Sequence, residues 1–143
     1  MTNFAQVTDY ELVERRPGYD KINNPSGLNV AELTPIGVRW RCNGAPVVVQ
    51  NSAGVGAVLL QDLSGVAIVE APYGDCENKA YIVNSDGSVR VQVIPTSNIG
   101  SVIFYDVFYL GEVLIFLAAS RNYDIQMQVD DVSGKIIRVK EFK

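Results

Sequence analysis

The chain has 143 residues, of which 48% are hydrophobic and 20% charged. This length and balance are typical of one globular domain with a substantial core, and they argue against extended disorder. Sixteen acidic residues against twelve basic ones give a net charge of -4, which disfavours nucleic-acid binding through clustered cations and fits a basic protein partner.

Targeting and redox signals point to the cytoplasm. The N-terminus lacks the cationic start and apolar stretch of a secretory signal. The most apolar run, Val113 to Ala119, is far shorter than the roughly 20 residues of a membrane helix, so no membrane partner is expected. Cys42 and Cys76 are isolated, and two lone thiols are more typical of a reducing compartment, although a disulfide between them stays open.

Short β-branched and aromatic runs follow an N-terminal segment that is rich in turn residues. In that segment, residues 1–35, the stretch from Phe4 to Arg16 predicts either a short helix or an edge strand. Residues 36–143 predict an antiparallel β core. Its predicted strands are Val47–Gln50, Ala57–Gln61, Val66–Glu70, Ala80–Val83, Val89–Ile94, Val102–Phe108, Val113–Ala118, Ile125–Val129 and Ile136–Val139.

The connections between these runs indicate hairpins. Residues 88–93 alternate polar and apolar side chains, the pattern of an antiparallel strand with one buried face. Asn43-Gly44 and Asp86-Gly87 are favoured pairs for tight turns, because both residues tolerate positive φ. Residues 96–100 are predicted to form a loop after that strand.

The order of these elements predicts one all-β domain over residues 1–143, with antiparallel hairpins forming a sandwich or a strongly bent sheet. Residues 57–93 and 102–142 both follow a hairpin, loop, hairpin order, with Gly65 matching Gly111 and Gly87 matching Gly134. Such units resemble propeller blades in length. A third, partial copy would end with the Asn43-Gly44 hairpin. However, any series of antiparallel hairpins looks self-similar, and three blades would be fewer than the usual about four to eight. Chance similarity is therefore favoured over a true blade repeat.

Catalytic machinery is not recognisable in this sequence. The absence of histidine excludes Ser-His-Asp and Cys-His nucleophiles and histidine metal sites. A phosphate-binding P-loop is missing, and Gly54-Val55-Gly56 lacks the rest of a dinucleotide fingerprint. The oxygen-rich segments 84–88 and 130–134 are better explained as turns than as calcium loops, which need a later acidic ligand. We therefore predict a non-enzyme without a cofactor.

Lone reactive-looking side chains have structural explanations. Asp75 and Glu77 flank Cys76 and disfavour its thiolate, and Cys42 lacks a neighbouring base, so both cysteines are interpreted as unreactive. Trp40 lies between two arginines and is predicted to be a core anchor rather than a cation–π partner.

The aromatic segment 104–109 is apolar on both faces. A central strand covered on both sides is the favoured interpretation. The alternative is that its tyrosine face lies in a partner site, because tyrosine is enriched in binding interfaces.

Two function classes remain. The first is a protein-binding module, an inhibitor or bacterial immunity-type protein that blocks the active site of a basic partner such as a nuclease toxin. The second is a domain that binds a small ligand or carbohydrate in a pocket of carboxylates and exposed tyrosine, or a weak hydrolase of that kind. A structural subunit that pairs through residues 102–109 is a further alternative, and the oligomeric state stays open. The predicted partner contacts are Asp62, Glu70, Tyr73, Asp75, Glu77, Tyr123, Asp124, Asp130 and Asp131.

Overall fold

A computed structural model describes residues 5–73, 77–95, 101–121 and 123–142 of the chain. It confirms the predicted all-β antiparallel fold. The strands are β1 (Val7–Val13), β2 (Gly37–Cys42), β3 (Ala45–Gln50), β4 (Val55–Leu59), β5 (Gly65–Glu70), β6 (Lys79–Asn84), β7 (Val89–Gln92), β8 (Ile103–Leu110), β9 (Val113–Ala119), β10 (Asp124–Val129) and β11 (Ile136–Phe142), with one helical turn, α1 (Val30–Leu33).

The strands form three antiparallel sheets in which consecutive strands are neighbours. The N-terminal sheet has the order β1-β2-β3, the middle sheet β4-β5-β6-β7 and the C-terminal sheet β8-β9-β10-β11. Residues 57–93 and 102–142, the two halves of the suspected repeat, thus contain matching four-stranded meanders. The predicted loop at 96–100 lies outside the described residues.

The middle sheet is the central layer of a sandwich. All six residues of β5 are buried. Val66 and Ile68 pack in the cluster that contains Trp40 of the N-terminal sheet. Ala67 and Val69 pack in the larger cluster, which the C-terminal sheet shares. The continuous apolar run of β5 is what a strand covered on both faces requires.

Besides the two core clusters, a valine of one sheet packs against a turn glycine of the next sheet at two places. A Cβ added to Gly87 would lie 3.0 Å from Cγ1 of Val47, which belongs to the N-terminal sheet. A Cβ added to Gly134 would lie 1.9 Å from Cγ1 of Val91, which belongs to the middle sheet. A valine of the preceding sheet thus packs directly against the backbone of each turn, where a larger residue than glycine would clash. Both glycines also have positive φ.

The N-terminal segment is more regular than its composition indicated. Val7–Val13 is a strand that pairs with β2, so the edge strand was the correct alternative and the helix was wrong. The four-residue helix occurs later, where Asn29 and Glu32 form a capping box around Val30–Leu33. In the described ranges, no helix has the length and hydrophobicity needed to cross a membrane.

The prediction that the aromatic segment 104–109 is a central strand was wrong. The segment belongs to β8, which lies at the edge of the C-terminal sheet. Asn78 covers part of its free edge, because the amide nitrogen donates to the Phe104 carbonyl at 2.7 Å and the amide oxygen accepts from the Phe104 N–H at 2.8 Å. A side chain thus replaces a strand at this point, which removes those two groups from edge pairing with another chain.

Candidate functional site

The strand directions divide the predicted contact residues between two ends of the sandwich. Four hairpin turns, at residues 60–64, 85–88, 110–113 and 130–134, lie together at one end, here called the acidic end. The Ser85 N–H donates to the Ser64 carbonyl at 2.9 Å, and Nε2 of Gln61 donates to the Gly111 carbonyl at 2.7 Å. Arg90 then joins the fourth turn, donating to the Asp131 carbonyl at 2.7 Å.

Two carboxylates of the acidic end accept hydrogen bonds from their own turns. The Ser133 and Val132 N–H groups donate to Asp130 at 2.9 and 2.8 Å, and these bonds lower the pKa of Asp130. The hydroxyl and N–H of Ser88 likewise lower the pKa of Asp86. Both side chains are therefore ionised at neutral pH while they fix the shape of the turn.

Asp62 follows the same pattern in the β4–β5 turn. Burial acts to raise its pKa, but two hydrogen bonds from Ser64 and the charge of Arg90 outweigh burial, so the pKa lies below its usual value. Asp131 and Glu112 are the other carboxylates of these four turns. The acidic end thus carries a concentrated negative charge on turns with defined geometry.

Arg90 and Tyr109 connect the turns beneath these carboxylates. Besides Asp131, Arg90 binds the Asn84 amide oxygen at 2.7 Å and the Ser64 hydroxyl at 2.9 Å. The Tyr109 hydroxyl donates to Asp131 at 2.7 Å, and burial followed by this bond raises the tyrosine pKa. These contacts link the middle and C-terminal sheets and restrain the turns that carry the carboxylates.

Other predicted contacts lie at the opposite end of the strands, at Glu70, Tyr73, Glu77, Tyr123 and Asp124. A six-residue strand such as β5 spans about 17–20 Å, so these residues and Asp62 cannot share one small contact patch. Asp75 and Cys76 lie outside the described residues, and so does any pairing of Cys76 with Cys42. The predicted set therefore forms two groups, with Asp62, Asp130 and Asp131 at the acidic end.

The group at the opposite end includes a polar cleft of about 420 Å³, lined by Asn51, Glu70, Glu77, Asn78, Lys79 and Gln92. Glu70 is buried, accepts from the Tyr81 hydroxyl and lies 3.5 Å from the Lys79 ammonium group. Nδ2 of Asn51 is 3.3 Å from a Glu70 oxygen and 3.5 Å from a Glu77 oxygen. Two carboxylates thus converge as a ligand pocket requires, but the tyrosine beside them is buried.

Three residues of the acidic end, Asp86, Arg90 and Glu112, were not among the predicted contacts, whereas Tyr109 belongs to the tyrosine face of residues 104–109 that the alternative interpretation placed in a partner site. A usable signal existed for Asp86. An aspartate followed two residues later by serine occurs in both the β4–β5 turn and the β6–β7 turn, and in each the serine N–H binds the carboxylate. Arg90 had no local signal for its place between the turns, because Asp131 and Ser64, to which it binds, are distant in sequence.

Burial of Tyr10 in the N-terminal sheet leads to a prediction for alkaline pH. Burial raises the pKa of Tyr10 to about 12, against about 10 in an unfolded chain. Above pH 10 the unfolded state therefore loses the proton first, and the free energy of unfolding falls as the pH rises toward 12. Denaturant melts between pH 8 and pH 11 should show this fall, and Tyr10→Phe should make it shallower. An equally steep fall in the variant would contradict the assignment to Tyr10.

Comparison with known proteins gives a likeness of fold. The sequence matches no protein-family model and no curated protein. A chain in the solved structure of Tne2 in complex with Tni2 superposes with a TM-score of 0.73, over 96% of this chain and 99% of that chain. The two sequences are 15% identical, so the likeness is one of fold alone. That chain occurs in a complex of two proteins.

Proposed function

We propose that this protein is a binding module of the inhibitor or immunity type, which associates with a basic protein such as a bacterial nuclease toxin and covers its active site. The observation that carries the proposal is the acidic end, where four turns hold five carboxylates on one surface. The occurrence of the fold in a complex of two proteins is compatible with a binding role. The chain would act in the cytoplasm and would itself catalyse no reaction.

The arrangement suits recognition of a positively charged surface. Charged groups of one sign speed association with a partner of opposite sign and select against other partners. The aspartates of the three turns are already held by hydrogen bonds to Ser64, Ser88 and Ser133, so binding would lose little additional side-chain freedom. A rigid acidic surface that excludes water from a basic cleft would then inhibit without chemistry of its own.

Neutralising the turn aspartates tests this proposal. In the triple variant D62N/D86N/D130N, each asparagine retains an oxygen that can accept the turn N–H bonds, so the turns should persist without their charge. With the partner encoded by the neighbouring gene, or captured from source cells, we expect the association rate constant to fall about tenfold at low salt. Its dependence on ionic strength should also weaken. Stopped-flow mixing measures both quantities.

A matched control removes three charges at the opposite end of the N-terminal sheet. The control variant carries Glu14→Gln, Asp20→Asn and Glu32→Gln. Glu14 and Asp20 follow β1 and Glu32 lies in α1, away from the acidic turns. This triple variant should associate nearly as fast as the natural protein. Equal rates for both triple variants, or a partner with an acidic contact surface, would overturn the proposal.

A ligand-binding role is the second candidate, and the polar cleft favours it. The Asn51 amide nitrogen lies 3.3 Å from a Glu70 oxygen and 3.5 Å from a Glu77 oxygen, so the two carboxylates are close enough to contact one ligand, as the paired carboxylates of glycosidases do. Saturation-transfer NMR with a panel of mono- and disaccharides should then detect binding that Glu77→Gln abolishes. If no sugar in the panel receives saturation from the protein, the carbohydrate-binding role of the cleft is contradicted.

A further inference from the structure

The outer face of the C-terminal sheet is apolar over half of its width. Strand register places Phe108 beside Ile115, and Leu110 beside Val113, on the face that points away from the middle sheet. Leu110 and Val113 are 55% and 37% exposed. Ile115 is 1% exposed yet belongs to neither core cluster, so its neighbours on this outer face shield it. We call this set the outer apolar stripe: Ile103, Phe108, Leu110, Val113, Ile115 and Leu117.

The other half of the same face is polar. Gln126 and Gln128 of β10 lie beside the stripe, and Lys140 and Arg138 of β11 lie beyond them. Among the described residues of the opposite outer surface of the sandwich, on the N-terminal sheet, exposed Val48 lies beside Arg39 of β2 and forms no comparable stripe. There Arg39 pairs with Glu11 across β1 and β2, which is how a terminal layer is normally made soluble. The outer apolar stripe is therefore the unusual terminal surface of this fold.

Charges of opposite sign lie on the two edges of this face. Asp106 on β8 is exposed, and Lys140 on β11 is exposed as well. The register aligns both with the same row of residues across the sheet, because Asp106 pairs with Leu117, Leu117 with Gln126 and Gln126 with Lys140. One row thus begins with an anion and ends with a cation.

We propose that the occupant of this face is a second copy of the same chain, packed sheet against sheet. A two-fold axis parallel to the strands, between β9 and β10, places β11 of each copy opposite β8 of the other. The shared row then brings Lys140 of one copy to Asp106 of its partner, and the symmetry repeats the pair. Face-to-face packing of antiparallel sheets is also the contact that the middle sheet already makes on both sides.

The polar half of the face would cover the apolar half of the partner. Gln126 and Gln128 come opposite Leu117 and Ile115 in this arrangement, and Arg138 comes opposite Phe108. The methylene stems of these long side chains can bury apolar surface while their polar heads remain hydrated. The dimer uses none of the carboxylates of the acidic end and no residue of the polar cleft, so it is tested separately from the proposed function.

Sedimentation equilibrium of the full chain tests the dimer. We expect the average mass to rise from one chain to two with protein concentration. Lys140→Asp and Asp106→Lys should each raise the dimer dissociation constant at least about tenfold, because each places like charges opposite one another. The double variant K140D/D106K should restore it. This restoration is specific for a second copy, since an unrelated partner has no reason to regain affinity.

Leu117→Lys should abolish the dimer by placing a charge in the stripe. Val48→Lys is its matched control, since Val48 is 50% exposed on β3 of the N-terminal sheet and its replacement should leave the dimer unchanged. Circular dichroism of each variant confirms that it is folded. A monomer at every concentration, or a dimer in which Lys140→Asp and Asp106→Lys have no effect, would overturn the inference.

Discussion

Replacing Gly65 with alanine should lower the free energy of unfolding by about 3 kcal/mol, an effect large for a single methyl group. Gly65 begins β5 in the buried middle sheet. A Cβ at this position would lie 2.0 Å from the Val83 carbonyl oxygen and 3.1 Å from its carbonyl carbon. These are backbone atoms of β6, which pairs with β5 throughout. The two strands would have to separate at β5, a strand whose residues are all buried.

Gly56→Ala is the matched control in the same sheet. The nearest atom to a Cβ at Gly56 is Cβ of Val69 at 4.0 Å, an ordinary contact. Alanine should therefore leave stability unchanged or raise it slightly, because it restricts the unfolded chain more than glycine does. Urea denaturation of the two variants measures the difference. Equal midpoints would mean that the approach of β5 to β6 at Gly65 is not as close as described.

Trp40→Ala should cost about 3–5 kcal/mol, the range for removing a large buried aromatic side chain. Trp40 is 1% exposed and anchors the cluster between the N-terminal and middle sheets. Its indole N–H also donates to the Ser85 carbonyl at 2.7 Å. Ser85 is fully buried and begins the turn that carries Asp86. Loss of Trp40 should therefore destabilise the sandwich and loosen one turn of the acidic end.

Trp40→Phe separates these two contributions. Phenylalanine retains most of the apolar volume but leaves the Ser85 carbonyl without its donor, so we expect a smaller loss, about 1–3 kcal/mol. Hydrogen exchange at residues 85–88 should accelerate relative to the rest of the middle sheet. Ile22→Ala, at a side chain 95% exposed, is the control and should change stability by less than about 0.5 kcal/mol. A Trp40→Ala variant as stable as that control would contradict the core assignment.

Local patterns predicted individual turns and one core residue. The Asn43-Gly44 turn is confirmed, with φ of 52° and 80° at its two residues. The turn-forming role of Asp130 is confirmed by its bonds to Val132 and Ser133. Trp40 is in the core as predicted. The two turns depend on residues within a few positions of one another, which is where pattern reasoning is strongest.

Features that depend on pairing between distant residues could not be predicted in this way. Strand β2 alternates as Gly37-Val38-Arg39-Trp40-Arg41, but its partner β1 lies across a long connection and has a bulge that interrupts its own alternation. The apolar faces of β8 indicated a central strand. It is instead an edge strand. Its sequence is typical of a central strand because its outer face carries the apolar stripe, while the Asn78 side chain covers part of its free edge.

The division of the predicted partner contacts between two ends of the sandwich also depends on pairing between distant residues. Asp62 and Glu70 are eight positions apart, and sequence alone treats them as neighbours in one acidic surface. Strand β5 between them carries Glu70 to the far end, while the turns near Asp130 return to the side of Asp62. Only the order and direction of the strands, which sheet topology determines, separates the acidic end from the polar cleft.

The proposal that the acidic end is the binding surface is tested most directly by hydrogen–deuterium exchange of the complex with the natural partner. We expect binding to slow exchange in the turns at 60–64, 85–88, 110–113 and 130–134, with little change in residues 14–33. Protection confined to the polar cleft, or to residues 103–109 and 114–117 on the outer side of the C-terminal sheet, with the four turns unchanged, would contradict the proposal.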